Sequence, residues 1–195
     1  MLELKGVGRI DKKEALRYLG YYGAKDVSDI ESELSECEKL IIPALSPRAC
    51  LEHFCISCGD MLDLSFAKTQ SRALKANLEG CKSIVLFAAT VGAEVDRLIL
   101  KYSKLSPARA LILQAMGSAA IECWCDDICG AIEEKYGKTK PRFSCGYGDL
   151  PLSLQRDIFT ALDVTKRLGI TLSDNLFMTP TKSVTAIVGI KESAK

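Results

Sequence analysis

The sequence predicts an α+β fold, in which packed helices, including one long central helix, cover a twisted and largely antiparallel sheet. Three segments favour this class: an apolar, strand-forming run at residues 83–89, a helical pattern over residues 106–136, and a strand-like segment at residues 183–190. Helices and strands follow one another irregularly, whereas regular β–α–β repetition would favour a doubly wound parallel sheet.

The composition is that of an ordinary globular protein. The chain has 195 residues, 48% hydrophobic and 26% charged, and we expect a single domain over residues 1–195. Its net charge of +1 gives no electrostatic reason for binding nucleic acid or an anionic membrane. The longest uncharged apolar run, residues 83–93, is too short to span a bilayer, and the N-terminus has no signal-peptide pattern. We therefore expect a cytoplasmic protein.

Capping and proline signals predict the first two helices. Asp11 and Glu14 have the spacing of a capping box, which begins a helix that runs to about Leu19. Ser28 is the expected cap of a second helix, which Pro43 ends.

Two strands and a short helix are expected next. Residues 50–56 and 61–66 have strand composition on either side of a turn at residues 57–60, as in a β-hairpin. Residues 69–78 are predicted to be helical, and Gly80 ends that helix.

The middle of the chain contains the most strongly patterned segments. The continuous apolar run at residues 83–89 predicts a strand that is buried on both faces. A helix with one apolar face follows, formed by Val95, Leu98, Ile99 and Tyr102. Ser106 and Pro107 then begin a helix that stops at Gly137. Apolar residues lie on nearly all sides of this helix, so we expect it to be central and buried.

The C-terminal part is expected to contain a loop, a helix and a strand. The loop covers residues 138–151, and the helix has apolar residues in register at Leu154, Ile158 and Leu162. The last strand covers residues 183–190.

The loop carries the most informative candidate site. Arg142 stands four residues before Gly146, and Cys145 and Tyr147 flank that glycine. Arginine can bind a carboxylate with two parallel hydrogen bonds, glycine allows close approach of the backbone, and tyrosine offers a flat face. The set suits a small zwitterionic ligand with a flat ring. The alternative is a tight loop whose arginine forms a structural salt bridge.

Glu122 lies within the apolar long helix and must find a partner, because a lone buried charge is costly. Arg142, a lysine or a bound ammonium or sulfonium group would each serve. The neighbouring acidic residues are expected to form a solvated helix face: Asp126, Asp127, Glu133 and Glu134.

The nine cysteines are expected to be free thiols, because their number is odd and no secretion signal is present. They include Cys55-x-x-Cys58 and Cys123-x-Cys125-x-x-x-Cys129, but the only histidine is His53. That ligand count is incomplete for a structural metal site, so we expect none. A thiol-based metal or redox protein stays open as an alternative, with His53 and Cys55 on one strand face.

The C-terminal third contains an ordered series of motifs. They are Arg142-x-x-x-Gly146-Tyr147, Ile158-Phe159-x-x-Leu162-Asp163, Gly169-Ile170-x-Leu172-Ser173-Asp174-Asn175-x-Phe177-Met178-x-Pro180 and Ser183-Val184. Residues 142–190 thereby resemble the activation domain of cobalamin-dependent methionine synthase. The resemblance is weaker over residues 80–135, and before residue 80 it is limited to Ile10-Asp11.

The resemblance implies that the chain binds S-adenosylmethionine. The residues that it assigns to this site are Arg142, Cys145, Gly146, Tyr147, Glu122 and Asp11. Arg142 would hold the methionyl carboxylate, and Glu122 and Asp11 would face the ammonium or sulfonium end. Asp11 has an alternative role as the helix cap. No catalytic acid or base is implied, because cobalt(I) is the nucleophile and the sulfonium is already a good leaving group.

The resemblance also implies partners. Cobalamin would be carried by a methionine synthase that lacks its own activation domain, and a flavodoxin- or ferredoxin-type donor would supply the electron that reduces cob(II)alamin. Another corrinoid methyltransferase is the alternative partner, and an interaction protein that has lost the ligand is a third reading. The chain lacks the histidine that the family has after Gly146-Tyr147, and it stops at Lys195 without the family's further aromatic residues. We therefore expect an open pocket, or one that a partner completes, in an accessory module that is not a complete enzyme.

Overall fold

The computed structural model describes residues 1–21 and 30–191. The helices in these residues are α1 (Lys12–Tyr18), α2 (Glu31–Ile41), α3 (Arg72–Asn77), α4 (Ala93–Leu105), α5 (Pro107–Tyr136), α6 (Gln155–Leu162) and α7 (Val164–Leu168). The strands are β1 (Leu2–Lys5), β2 (Arg48–Cys55), β3 (Ser57–Cys58), β4 (Leu62–Asp63), β5 (Lys68–Thr69), β6 (Cys81–Thr90), β7 (Thr171–Leu172), β8 (Met178–Thr179) and β9 (Ser183–Lys191). Short 3₁₀ turns lie at Ile42–Ala44 and Leu152–Leu154.

The main sheet has the strand order β1-β2-β6-β9, and each neighbouring pair is antiparallel. The predicted α+β class is confirmed. Two smaller sheets, β3-β4-β5 and β7-β8, lie outside it. None of the helices in the described residues is long and apolar enough to cross a membrane.

Strand β6 is the centre of the molecule, as its apolar sequence predicts. Residues 84–90 are all buried, because helices cover both faces of the sheet. Val85 and Phe87 point into a first core, which they share with α5. Ile84 and Leu86 point into a second core with α3, α6 and α7. The alternation of side chains along a strand assigns neighbouring residues to the two cores.

Helix α5 has the predicted bounds and the predicted central position. Buried residues occur along nearly its whole length, and the Trp124 indole donates a hydrogen bond to the Arg48 carbonyl of β2 at 3.1 Å. Ser106 caps the helix through its backbone carbonyl, which accepts from the Ala110 amide at 3.0 Å, and its hydroxyl makes no capping bond. Gly137 ends the helix with a positive φ of 88°.

The first two helices partly follow their capping signals. The Asp11 carboxylate accepts from the amides of Lys13 and Glu14, which makes Asp11 the cap of α1. The Glu14 carboxylate bonds to Arg17 and does not close the predicted capping box. The predicted cap Ser28 lies outside the described residues. Helix α2 ends at Ile41, one residue before the turn that contains Pro43.

The predicted hairpin between residues 50–56 and 61–66 is wrong. Strand β2 is already paired on both edges, with β1 and with β6, so no edge is left for the following segment. That segment forms only the two-residue strand β4, which pairs with β3 and β5. After β4 the chain turns. The Asp63 carboxylate accepts a hydrogen bond from the Ser65 amide at 2.8 Å, and Ser65 has a positive φ of 70°.

The expected loop at residues 138–151 has no helix, but it adds to the sheet. Phe143 and Ile187 exchange two backbone hydrogen bonds of 2.8 Å, which extends the sheet beyond β9. The helix predicted around Leu154, Ile158 and Leu162 is α6. The expected helix at residues 69–78 is shorter, since α3 starts after its cap Ser71.

Candidate functional site

A pocket of about 400 Å³ lies between α5, the loop that follows it, α6 and the β8–β9 segment. Its lining residues are Glu122, Arg142, Ser144, Cys145, Gly146, Tyr147, Gln155, Met178, Ser183, Val184 and Thr185. The structure therefore brings together five of the predicted site residues, which come from a helix and a loop. The sixth, Asp11, does not line the pocket and serves as the cap of α1.

An ion-pair cluster forms the charged side of the pocket. Arg142 donates from Nη2 to Glu122 Oε2 and from Nη1 to Asp126 Oδ1, the latter at 2.6 Å. Glu122 and Asp126 are one turn apart on α5, so both carboxylates face the same loop. The prediction that Asp126 belongs to a solvated helix face is therefore incomplete, because its exposed carboxylate also binds Arg142.

The guanidinium of Arg142 is permanently charged. Burial acts to lower its pKa, but the hydrogen bond to Asp126 and the surrounding negative groups raise the pKa above its usual range. The two ion-pair bonds use one hydrogen on each Nη nitrogen. A guanidinium has five N–H donors, so donors remain for a ligand carboxylate.

Helix α1 lies beside the Glu122 end of the cluster. Burial and the charge of Glu122, in that order, raise the pKa of Tyr18 in the last turn of α1. No local sequence pattern predicts this proximity, because the two residues lie on different helices far apart in the chain.

Two glycines shape the loop that follows Arg142. Gly146 has a φ of 89°, and its amide donates to the Leu150 carbonyl at 3.0 Å. Gly148 has a φ of 55°, and a Cβ there would lie 2.7 Å from the Cβ of Ala73. The first glycine closes the turn, and the second allows the loop to pack on α3.

Asp149 anchors the same loop, and sequence analysis missed its role. Its carboxylate accepts from the Ser71 hydroxyl at 2.5 Å, the Arg72 amide at 2.8 Å and the Ala73 amide at 3.1 Å. These hydrogen bonds, led by that from Ser71, lower the pKa of Asp149 to about 2. The partners are more than seventy positions away, so no local pattern could have revealed them.

Tyr147 and Cys145 differ in what they offer to the pocket. Tyr147 is 62% exposed, and its ring meets that of Phe143 edge-on, with centroids 6.1 Å apart. A flat aromatic face is therefore open at the mouth. Burial raises the pKa of Cys145 to about 11, so this thiol stays neutral at physiological pH.

The second side of the pocket is polar and uncharged, and the sequence analysis did not identify it. Gln155 begins α6 and Thr185 lies on β9, with exposed fractions of 6% and 2%. Gln155 stands in a helical segment and Thr185 in an apolar strand, so only their burial next to a cavity marks them.

The described residues contain no group of three or more His, Cys, Asp and Glu side chains placed to hold a metal ion. All nine cysteines are free thiols. Burial raises the pKa of Cys125 to about 12 and also raises that of Cys129, which disfavours their thiolate forms. His53 stacks on Tyr136 with centroids 5.3 Å apart. These contacts give no support to a thiol-based metal or redox site.

The architecture is an α+β fold with a pocket between its long helix and a sheet edge. Residues 125–195 match the family described as vitamin B12 dependent methionine synthase, activation domain. The resemblance predicted from residues 142–190 is thus confirmed, since the matched segment covers it and is similar to that activation domain.

A solved structure shares the fold over the whole chain. The crystal structure of the MetH reactivation domain bound to AdoHcy aligns with a TM-score of 0.75 at 15% identity, covering 100% of this chain and 79% of that one. No sequence among the curated proteins matches this chain.

Proposed function

We propose that the pocket binds S-adenosylmethionine and presents its methyl group to a cobalamin-bearing methyltransferase, in the reactivation of cob(II)alamin. The observation that carries the proposal is the meeting of Arg142, Gly146 and Tyr147 with Glu122 at one pocket. The family match and the AdoHcy-bound structural neighbour support the same ligand class.

The pocket suits the ligand in size and charge. Its volume of about 400 Å³ lies within the range of small-molecule sites. Arg142 and Glu122 place a cation and an anion side by side, which is complementary to the carboxylate and ammonium of an amino-acid tail. Tyr147 supplies an apolar face at the mouth.

The residues of this chain would act by positioning. Arg142 fixes the carboxylate, Glu122 attracts the ammonium or sulfonium end, and Gly146 lets the ligand approach the backbone. Holding the methyl group toward the open side of the pocket supplies orientation, and no proton has to move. The partner's cobalt, reduced by one electron from an external donor, supplies the nucleophile when it is bound.

Calorimetry with S-adenosylmethionine and with S-adenosylhomocysteine tests the binding step. We expect saturable 1:1 binding to the wild type and a large loss in Arg142→Ala. Arg9→Ala is the matched control, since Arg9 also pairs with a carboxylate of α5, Asp127 at 2.6 Å, but lies outside this pocket. Absence of binding to the wild type, also with a partner synthase present, would contradict the proposal and favour an interaction protein.

Reactivation tests the partner. The protein, S-adenosylmethionine and a one-electron reductant are added to an oxidised methionine synthase that lacks an activation domain, and methylcobalamin formation is followed by its absorption spectrum. Methylation that depends on this protein supports the proposal. Methylation of only a different corrinoid protein would assign the same chemistry to another methyltransferase.

A further inference from the structure

Two residues that line the pocket each have a buried polar atom without a hydrogen-bond partner. Among the described residues, four buried side-chain atoms make no hydrogen bond: Arg48 Nε, Asn77 Oδ1, Gln155 Oε1 and Thr185 Oγ1. The last two belong to residues that line the pocket. Buried polar groups are almost always hydrogen-bonded, and an unpaired one destabilises the fold. Both residues line one cavity, and a ligand bound there would supply the missing partners.

Both side chains lie on the side of the pocket away from the ion pair. Gln155 begins α6, which packs in the second core. Along β9, Thr185 alternates with Ala186, which belongs to the first core, so Thr185 faces the α6 side. Glu122 and its partner Arg142 lie on the α5 side. The pocket therefore has a charged side and a neutral polar side.

We propose that Gln155 and Thr185 recognise the edge of a purine base, an inference that rests on the proposed function. In an adenosyl amino acid, the base and the zwitterionic tail lie at opposite ends, as the two sides of the pocket do. Gln155 Oε1 accepts from the exocyclic amino group, and the Thr185 hydroxyl donates to a ring nitrogen. An amide side chain is a common partner of the adenine edge, which offers both a donor and an acceptor.

This pairing makes the pocket selective for adenine over hypoxanthine. Hypoxanthine has a carbonyl oxygen in place of the amino group, so two acceptors would face each other at Gln155. A site built to hydrogen-bond a particular group discriminates strongly against a ligand that lacks it. Arg142 contributes equally to both ligands, because their amino-acid tails are identical.

The test compares S-adenosylhomocysteine with S-inosylhomocysteine by calorimetry. The wild type should bind the adenosyl ligand more tightly by about tenfold or more. Gln155→Leu should remove most of that preference, and the near-isosteric Thr185→Val should weaken adenosyl binding severalfold. Arg142→Ala should weaken both ligands by a similar factor and keep the preference. Thermal unfolding verifies that each variant is folded, and Gln155→Met replaces the leucine variant if that one is not.

The outcomes separate this inference from the proposed function. If the wild type binds the adenosyl ligand without preference, or the Gln155 variants retain the preference, the inference is overturned and the proposed function stands. The 2′-deoxy analogue of S-adenosylhomocysteine tests the sugar. If the Gln155 and Thr185 variants instead lose the preference for S-adenosylhomocysteine over this analogue, the side chains bind the sugar and the inference is also overturned. If the wild type binds neither ligand, the proposed function itself fails.

Discussion

Arg142 in the loop after α5 donates a hydrogen bond to Glu122 within α5, across 20 positions of sequence. The pair is only partly exposed, with side-chain fractions of 26% and 37%. It therefore stabilises the loop against the helix and also presents both charges to the pocket. A zwitterionic tail can bind to such a pair without leaving either charge unpaired.

Removal of the Arg142 guanidinium should weaken S-adenosylhomocysteine binding by about 2–4 kcal/mol, the scale for losing one partner of a charge-assisted pair. Arg142→Lys should recover part of the lost binding free energy, because lysine keeps the charge but cannot form two parallel hydrogen bonds to a carboxylate. Calorimetry measures both, with Arg9→Ala as the control. An unchanged affinity in Arg142→Ala would refute the assignment of the carboxylate site.

Replacement of Gly148 by alanine should destabilise the loop more than the same change at Gly169. Both glycines have positive φ, 55° and 70°, so both substitutions carry backbone strain of about 1–2 kcal/mol. Only at Gly148 does the new Cβ meet another atom, the Cβ of Ala73 at 2.7 Å, while nothing lies within 4 Å at Gly169. Urea unfolding compares the two variants. Equal decreases in the free energy of unfolding of the two variants would mean that the contact with α3 does not constrain the loop.

Asp149 should make stability depend on pH at the acidic end. Its folded pKa of about 2 lies below the ordinary 3.8, so its contribution is fully present above about pH 4. That contribution is lost as the pH falls through the folded value. The difference in unfolding free energy between wild type and Asp149→Asn should therefore narrow between pH 5 and pH 2. A difference that stays constant over this range would show that the carboxylate charge is not involved.

Thiol labelling should follow burial. Cys55 and Cys58 are exposed and should react with an aromatic disulfide reagent in the native state. Cys125 is buried with a pKa of about 12, so it should react only after unfolding. Mass spectrometry of labelled peptides identifies the order in which the cysteines react. Rapid native labelling of Cys125 would mean that α5 is less tightly packed than described.

Truncation of Phe87 should test the central strand. Its side chain is fully buried in the first core, so Phe87→Ala should lower the free energy of unfolding by about 3–5 kcal/mol. Leu111→Ala serves as the comparison, because Leu111 is 62% exposed and its loss should change stability by about 0.5 kcal/mol or less. Similar effects of the two changes would place Phe87 outside the core.

The local sequence determined the elements that depend on their own residues. Helix α5 begins at Pro107 and ends before Gly137, because proline suits the first helical turn and glycine suits the positive φ at the end. The uninterrupted apolar run of β6 required burial on both faces. The spacing of Arg142, Gly146 and Tyr147 predicted a ligand loop, and all three residues line one pocket because they are close together in the sequence.

Tertiary structure alone decided the relationships between distant residues. The hairpin prediction failed because β1 and β6 already occupy both edges of β2, and strand composition does not encode partners. Asp126 and Asp149 look like ordinary surface acids until the fold brings Arg142 and Ser71 to them. Gln155 and Thr185 become candidate ligand-binding residues only in the folded protein. Their unpartnered polar atoms are buried there, and burial is a property of the folded chain.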